Sequence, residues 1–316
     1  MFEKRPVALP KGTRIDRYRI QKTLGGGGFS VVYLGVDSDT GQAVVIKEYM
    51  PGRLATRHED LTVAPKGKPE AKRFSRGRML FFQEASALAT LKHDNIVNVL
   101  SFFRAYNTVY MVMDYQEGKN LQSYIISRRG NLSEKFLRTV FPPLLDGLEI
   151  IHQHDLLHLD IKPGNIHIRP GGSPILLDFG AVHGFPQSRQ SQPGQVVTGG
   201  FSPIEQYEQN GYVGPWSDIY ALGATMRACI EGRPPLSAKN RFEKDTQRRA
   251  KSLYRRRYST SLLEAIDWAM EVDPLLRPQS VAELRDAILA DRLDLPDEEA
   301  ESTLERLVGS LPWGKG

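Results

Sequence analysis

The chain of 316 residues contains one cysteine, Cys229. A single thiol excludes an intramolecular disulfide and any cysteine-clustered metal site. Its apolar, helix-patterned surroundings point to a buried structural thiol. The sequence also lacks a run of about 18 apolar residues, the length a membrane-crossing helix needs. Its opening stretch, MFEKRPVALPKG, has no apolar signal core. A cytoplasmic location is therefore expected, with no membrane partner. An excess of one charge sign is nearly absent: 42 Lys and Arg against 37 Asp and Glu leave +5. That balance suits a phosphorylated ligand or an acidic surface, and it is equally ordinary in a protein with neither. It gives no reason to expect a nucleic-acid partner. No internal repeat is present.

What is present is enough apolar material, 40% of the residues, for a sizeable core. The first third reads as strands. RYRIQKTLG, SVVYLGVD and AVVIKEYM are short runs rich in β-branched residues, separated by glycines and the turn DSDTGQ. A helix is expected around MLFFQEASALATL, followed by strand-like IVNVLSFFRA and TVYMVMDY. After QEGKN, helices dominate. LSEKFLRTVFPPLLDGLEIIHQH opens with Ser133 as a plausible cap. SDIYALGATMRACIEG starts at a Ser-Asp pair and stops at Gly232. SLLEAIDWAM and VAELRDAILA are amphipathic. Residues 51–78 and 183–200 read as loops, long enough to be functional or mobile. The pattern predicts an α+β chain with a β-rich lobe, a connector and an α-rich lobe, with a ligand cleft between the lobes.

Several stretches carry chemistry. LGGGGFSVVYLG places glycines between two strands, which suits a hairpin closing over phosphates, or a plain flexible turn. Lys47 stands in an apolar strand, VVIKEY, and is costly to bury unless paired. It is either an edge lysine facing solvent or the partner of Glu84 on the following helix. In HLDIKPGNIHI, Asp160 is a candidate base and Lys162 a candidate cation for a moving phosphate. Asn165 offers an oxygen to a hard metal. Thirteen residues on, LLDFG delivers Asp178 to a turn where it can meet the same metal.

In this order, the motifs resemble the eukaryotic-type Ser/Thr protein kinase family, most of all its bacterial members, over residues 18–292. LGGGGFSVVYLG resembles the glycine-rich loop, with Ser30 in place of the third glycine. VVIK resembles the lysine strand, HLDIKPGN the catalytic loop, and DFG the metal-binding turn. SPIEQY, with Glu205, stands where the family has Ala-Pro-Glu, and Arg277 in DPLLRP would be its partner. The resemblance implies a bilobal kinase-like fold. Residues 1–17 would be an extension, 18–113 the N-lobe with one main helix, 114–118 the hinge, 119–292 the C-lobe and 293–316 a tail.

It also implies the site. ATP would be cradled by Leu24, Gly25, Gly26, Gly27, Gly28, Phe29 and Ser30, under Val32 and Val45. Met113, Asp114 and Gln116 would meet the adenine, with Asn120 and His167 below it. Lys47, held by Glu84, would bind the α and β phosphates, and Asn165 and Asp178 would hold Mg²⁺ or Mn²⁺. Asp160 would take the proton of a protein Ser or Thr hydroxyl, on substrates that include the chain itself, and Lys162 would steady the phosphoryl group. Leu88, Val99, His158 and Phe179 would form an apolar spine. His167 either stacks on the base or simply packs. Gly164 stands where basic-directed members carry a glutamate. The basic run RRAKSLYRRRY is a solvated face or a dock for an acidic partner, and a regulatory partner or the tail remains a candidate for control.

Two other readings follow from the same residues. A pseudokinase scaffold would bind nucleotide without turnover, although such a module usually lacks one of the five chemical residues. A small-molecule phosphotransferase would not need SPIEQY and Thr198, which resemble a peptide-positioning segment. Leu159 precedes the catalytic aspartate where regulated members carry an arginine that grips an activation-loop phosphate. Leucine has neither charge nor donors.

Overall fold

Alternation of apolar and polar residues builds an antiparallel sheet from the β-branched runs near the N-terminus. The computed structural model describes residues 8–177, 183–184, 197–208 and 211–290. The expectations for Asp178, Phe179 and the 293–316 tail lie outside these residues. The chain divides into two compact units, one of residues up to 92 with 97–116, the other of 93–96 with everything from 117 onward.

In the first unit, β1 (Arg14–Ile15), β2 (Tyr18–Gly26), β3 (Ser30–Asp37) and β4 (Ala43–Tyr49) are followed by a hairpin of β5 (Ala55–Arg57) and β6 (Val63–Pro65). Helix α1 (Lys68–Leu88), β7 (Val99–Ala105) and β8 (Thr108–Asp114) complete it. The main sheet runs β1-β2-β3-β4-β8-β7. Residues 51–78 are therefore not the loop that their Pro, Gly, Lys and Arg content suggests. They hold the β5–β6 hairpin and the first half of α1, which starts well before the expected MLFFQEASALATL. Pro69 near the helix start and Glu70 in its first turn suit a helix N-terminus. The stripe that buries α1 is thin, consisting of Phe74, Phe81, Ala85 and Leu88, so its front half reads as polar.

The second unit opens with β9 (Lys119–Asn120), α2 (Leu121–Arg128) and α3 (Glu134–Gln153), then β10 (Leu156–Leu157), β11 (Ile166–Ile168), β12 (Pro174–Leu176) and β13 (His183–Gly184). It continues with α4 (Pro215–Glu231), α5 (Ala238–Glu243), α6 (Ala250–Tyr254), α7 (Thr260–Ala269) and α8 (Val281–Leu289). Of these, α2, α5 and α6 are too short to show a periodic pattern. Ser133 caps α3, its Oγ accepting from Phe136 N at 3.2 Å. The helix continues through Pro142 and Pro143 because its apolar face is buried along most of its length. Residues 217–230 of α4 are buried on every side, the mark of a central helix. That helix begins at Pro215, two residues before the expected Ser-Asp pair, and ends at Gly232, whose φ of +78° is a left-handed stop. Cys229 is fully buried, and burial raises its thiol pKa. Residues 93–96 join this unit because Ile96 bridges Leu176 and Asn95 Nδ2 donates to Pro174 O at 2.7 Å. Among the described residues, no helix is long and apolar enough to cross a membrane.

The sheet and α1 meet at an aromatic contact. Tyr49 lies between Phe74 and Phe81, at ring separations of 5.6 and 5.8 Å. Gly77 of α1 leaves room for this ring, since a Cβ there would run into the Tyr49 hydroxyl and lie 2.9 Å from Cζ. Two effects then compete in Gly77→Ala. Helix propensity favours alanine by about 0.8–1 kcal/mol, whereas overpacking a buried ring costs about 1–3 kcal/mol. Tyr49 is enclosed and cannot swing away, so overpacking wins and the variant is expected to be less stable than the wild type by up to about 2 kcal/mol, as read by urea unfolding.

Candidate active site

In the first unit, strand register assembles the candidate groups. Val32 lies opposite Lys47 on β4, which in turn lies opposite Met111 on β8; Leu34 pairs with Val45, which pairs with Met113. Side chains two apart on a strand share a face, so Val32, Val45, Lys47 and Met113 line one face of the sheet. Lys47 is buried, and its ammonium lies 5.8 Å from the centre of the Phe81 ring. Glu84 is half-buried on the same helix, one turn beyond Phe81. Leu88 and Val99 are buried in this unit.

The glycine run ends β2 and turns into β3, with Gly27 N donating to Ser30 O at 2.9 Å. Only Gly26 is sterically required, because its Cβ would lie 2.9 Å from Ser30 O. At Gly25, Gly27 and Gly28 a Cβ would meet nothing within 4 Å, which leaves bare backbone open to a phosphate. Leu24 and Phe29 flank the turn with exposed side chains. Asp114 is held by Asn98, through its amide at 3.1 Å and its carboxylate at 2.9 Å, and Gln116 follows two residues later.

In the second unit, one carboxylate collects the chemistry. Asp160 is buried and takes four contacts, all from donors. Lys162 Nζ reaches Oδ1 and Oδ2 at 2.8 and 2.7 Å, Asn165 Nδ2 reaches Oδ2 at 2.9 Å, and Thr198 Oγ1 donates to Oδ1 at 2.9 Å. Lys162 Nζ also lies 3.4 Å from Thr198 Oγ1. Asn165 Nδ2 donates a second bond to the Asp160 carbonyl at 2.9 Å. Its amide nitrogen is thus fully committed, and the carbonyl oxygen is what it can offer a hard cation. Asn120 and His167 pair across β9 and β11. Asn120 Oδ1 is used in capping α2, accepting from Ser123 N at 2.9 Å.

The loop carrying Asp160 hangs from Asp218. This fully buried carboxylate accepts from His158 N at 2.9 Å, Leu159 N at 2.7 Å and His152 Nε2 at 2.9 Å. Leu159 has a φ of +56°, a left-handed conformation that a branched side chain adopts only under constraint. Gln206 Nε2 holds its carbonyl at 2.9 Å, while its side chain packs in an apolar cluster with Leu157 and Val213. His158, also fully buried, accepts from Asp160 N through Nδ1 at 3.3 Å. Glu205 and Arg277 form a buried bidentate pair at 2.8 and 3.1 Å, and Ser217 Oγ donates to Glu205 at 2.7 Å. The His152 and Gln206 contacts have no counterpart in the sequence reading. Both depend on pairs dozens of residues apart, and only the Ser-Asp start of α4 hinted at Asp218. The basic run 248–258 is largely solvent-facing, with Arg249 3.2 Å from Glu271.

Residues 18–288 match the family described as Protein kinase domain. The chain belongs to the protein kinase family. It is 30% identical over 288 residues to "Serine/threonine-protein kinase PknA" of Nostoc sp., an alignment spanning 86% of this chain and 47% of that protein. It is 27% identical over 293 residues to "Serine/threonine-protein kinase PrkC" of Bacillus subtilis, spanning 90% and 42%. The chain thus spans about half the length of such curated relatives. A solved structure titled "PpkA-294 apo form" is 35% identical with a TM-score of 0.79, covering 89% of this chain and 99% of that one. The fold is that of a kinase, with a curled β-sheet unit and a helical unit. Both curated relatives carry the name serine/threonine-protein kinase.

Asp218 offers a test of how this kinase loop is held. Burial pushes its carboxyl pKa up, but the bonds from His152 and His158 outweigh burial and leave it below the ordinary range. A depressed carboxyl contributes stability above its unfolded pKa of about 3.9 and loses it as pH falls through the lower folded value. Asp218→Asn should therefore cost about 3 kcal/mol or more at pH 7, because the amide cannot serve every donor. The deficit should shrink below about pH 4. Urea melts of both proteins across pH 3–7 measure it.

Proposed function

We propose that this chain is an active kinase that transfers the γ-phosphoryl group of ATP to Ser and Thr hydroxyls of proteins, itself included. The observation that carries this reading is the environment of Asp160. Its carboxylate already accepts a hydroxyl, that of Thr198, at 2.9 Å, beside a lysine that touches both partners. A substrate hydroxyl entering the same arrangement is oriented by Asp160, which takes its proton as the oxygen attacks the γ phosphorus and the bond to the bridging oxygen breaks, releasing ADP. Lys162 offsets charge on the migrating phosphoryl group. Asn165 and Asp178 are the residues to hold a Mg²⁺ or Mn²⁺ ion, which supplies neutralisation of phosphate charge when bound. The first unit contributes Lys47 for the phosphates, with Glu84 on α1 to hold it. The open backbone of residues 25–28 cradles the phosphates. Val32, Val45 and Met113 supply an apolar surface for the base, joined by Leu24, Phe29, Ser30, Asp114 and Gln116, and the family resemblance adds Asn120 and His167 as candidates for the same ligand. Positioning and electrostatics account for most of the rate in such a reaction.

The test is phosphosite mapping and initial rates with labelled ATP, Mg²⁺ and a generic protein acceptor. Asp160→Asn, Asp178→Asn and Lys47→Ala are each expected to lower the rate by about a hundredfold or more, with the fold kept by circular dichroism. Nucleotide binding by the wild type without transfer would favour the scaffold reading.

Leu159 generates a further expectation. Buried among Leu157 and Val213, it offers no charge to a phosphate on the segment between Asp178 and Glu205. Stripping the enzyme with phosphatase, then removing the phosphatase, should leave the initial rate within about twofold. A drop above tenfold, about 1.4 kcal/mol in the barrier, restored by rephosphorylation of Ser188 or Ser191, would show that another basic group grips that segment.

A further inference from the structure

Lys47 and Glu84 stand on different elements, β4 and α1, joined by residues 50–67. A free connection of that length would let α1 move against the sheet. This connection is instead folded into the β5–β6 hairpin and fastened at both ends. At the β4 end, Arg57 Nη2 donates to Glu48 Oε2 at 2.5 Å. The same carboxylate accepts Tyr33 Oη at 2.7 Å and Tyr110 Oη at 2.5 Å, and Leu9 N donates to Tyr33 Oη at 3.0 Å. Glu48 is fully buried and, as the neighbour of Lys47, faces the opposite side of the sheet. Burial works against the Arg57 charge, and the bonds to Glu48 outweigh it.

At the α1 end, Val63 N donates to Tyr106 O at 2.9 Å and Asn107 Nδ2 donates to Val63 O at 2.8 Å. Arg78 of α1 donates to Asn107 O at 2.8 Å and lies 5.6 Å from the Phe74 ring centre. Tyr106 and Asn107 both have positive φ, so the β7–β8 turn is tight and presents these groups rigidly. The hairpin thus links the strand of Lys47 to the helix of Glu84.

We propose that Arg57, Asn107 and Arg78 are positioning residues for Lys47 and Glu84. They strap α1 to the sheet through the hairpin, so that the nucleotide-binding face of this unit is held assembled by the chain's own connection. The proposal rests on the reading of Lys47 and Glu84 as nucleotide-positioning groups. Glu48 anchors the strap: a shift of its peptide moves Lys47, the residue before it. Arg78 sets the helix: it lies six residues, about 9 Å of helix, before Glu84.

Breaking the buried Arg57–Glu48 pair risks the fold itself, so the test uses the α1 end. Asn107→Gly keeps the positive φ and removes two side-chain bonds, the one to Val63 O and the one its Oδ1 accepts from Arg78, and Arg78→Ala removes the helix contact. In the 316-residue chain, three quantities are read for the double variant: Mg-ATP affinity by calorimetry, hydrogen exchange across residues 79–88, and kinetics with a protein acceptor. The expected result is an ATP affinity weakened about tenfold, faster exchange in α1, and an acceptor KM within about twofold. On a Lys47→Ala background the same double substitution should add no further loss of affinity, because the group being positioned is gone. Unchanged affinity in the double variant, beside a weakened Lys47→Ala, would overturn this proposal alone. An equal loss on both backgrounds would also overturn it, showing that the strap does not act through Lys47. A Lys47→Ala variant with wild-type ATP affinity would instead overturn the reading of the site on which the proposal rests.

Discussion

A buried carboxylate without enough donors is among the costliest groups a protein can hold. Asp218 sits fully inside the second unit, and its cost is offset by two backbone amides and an imidazole. Those amides belong to consecutive residues, His158 and Leu159, so satisfying Asp218 forces the chain to turn there. The left-handed conformation of Leu159 is the visible consequence. The next residue is Asp160, whose direction is set by that turn and then locked by Lys162, Asn165 and Thr198. Helix α4 supplies Asp218, and α4 is itself buried on all sides, so the site inherits the rigidity of the unit's core.

The first unit reaches the same end by another route. There the candidate groups are placed by register: Val32, Lys47 and Met111 fall in one row because antiparallel strands pair residue by residue. Register alone leaves a helix free to shift. The aromatic contact of Tyr49 with Phe74 and Phe81, together with the hairpin between β4 and α1, supplies what register cannot. Period-two geometry separates the two faces cleanly: Lys47 shares its face with Val32, Val45 and Met113, and Glu48, its neighbour, anchors the opposite side.

The apolar periodicities showed most of the elements. The runs 17–25, 30–37, 43–50 and 108–115 are strands, and the helices near 132–154, 217–232, 261–270 and 281–290 are present with small shifts at their ends. Most of these were legible because burial on one face leaves a period in the sequence; the helix near 217–232, buried on every side, was legible from its Ser-Asp start and Gly232 stop. Helices α2, α5 and α6 and the start of α1 were not, because they bury too few residues, or too thin a stripe, to leave one. Part of the cluster around Asp160 was legible for a different reason: Lys162 and Asn165 lie within five residues of Asp160, so local spacing already implied their proximity, whereas Thr198 is brought in by the fold. Glu205 and Arg277 entered through the family resemblance, and their 2.8 Å contact is a fact of the fold.

By itself, then, the sequence determined which residue types recur at which spacing: the glycine turn, the lysine in its strand, the aspartate, lysine and asparagine of one short loop, and a leucine that carries no charge. Tertiary structure alone decided that Glu48 finds Arg57 and two tyrosines, that His152 and Asp218 close on the backbone of Leu159, and that Gln206 holds its carbonyl. Each of these is a buried polar contact between residues drawn from separate elements. Burial makes such a contact obligatory, since an unpaired donor or acceptor in the interior is too costly to keep. Its partner, however, is chosen by how helices and strands pack, and no period or local spacing along the chain records that choice.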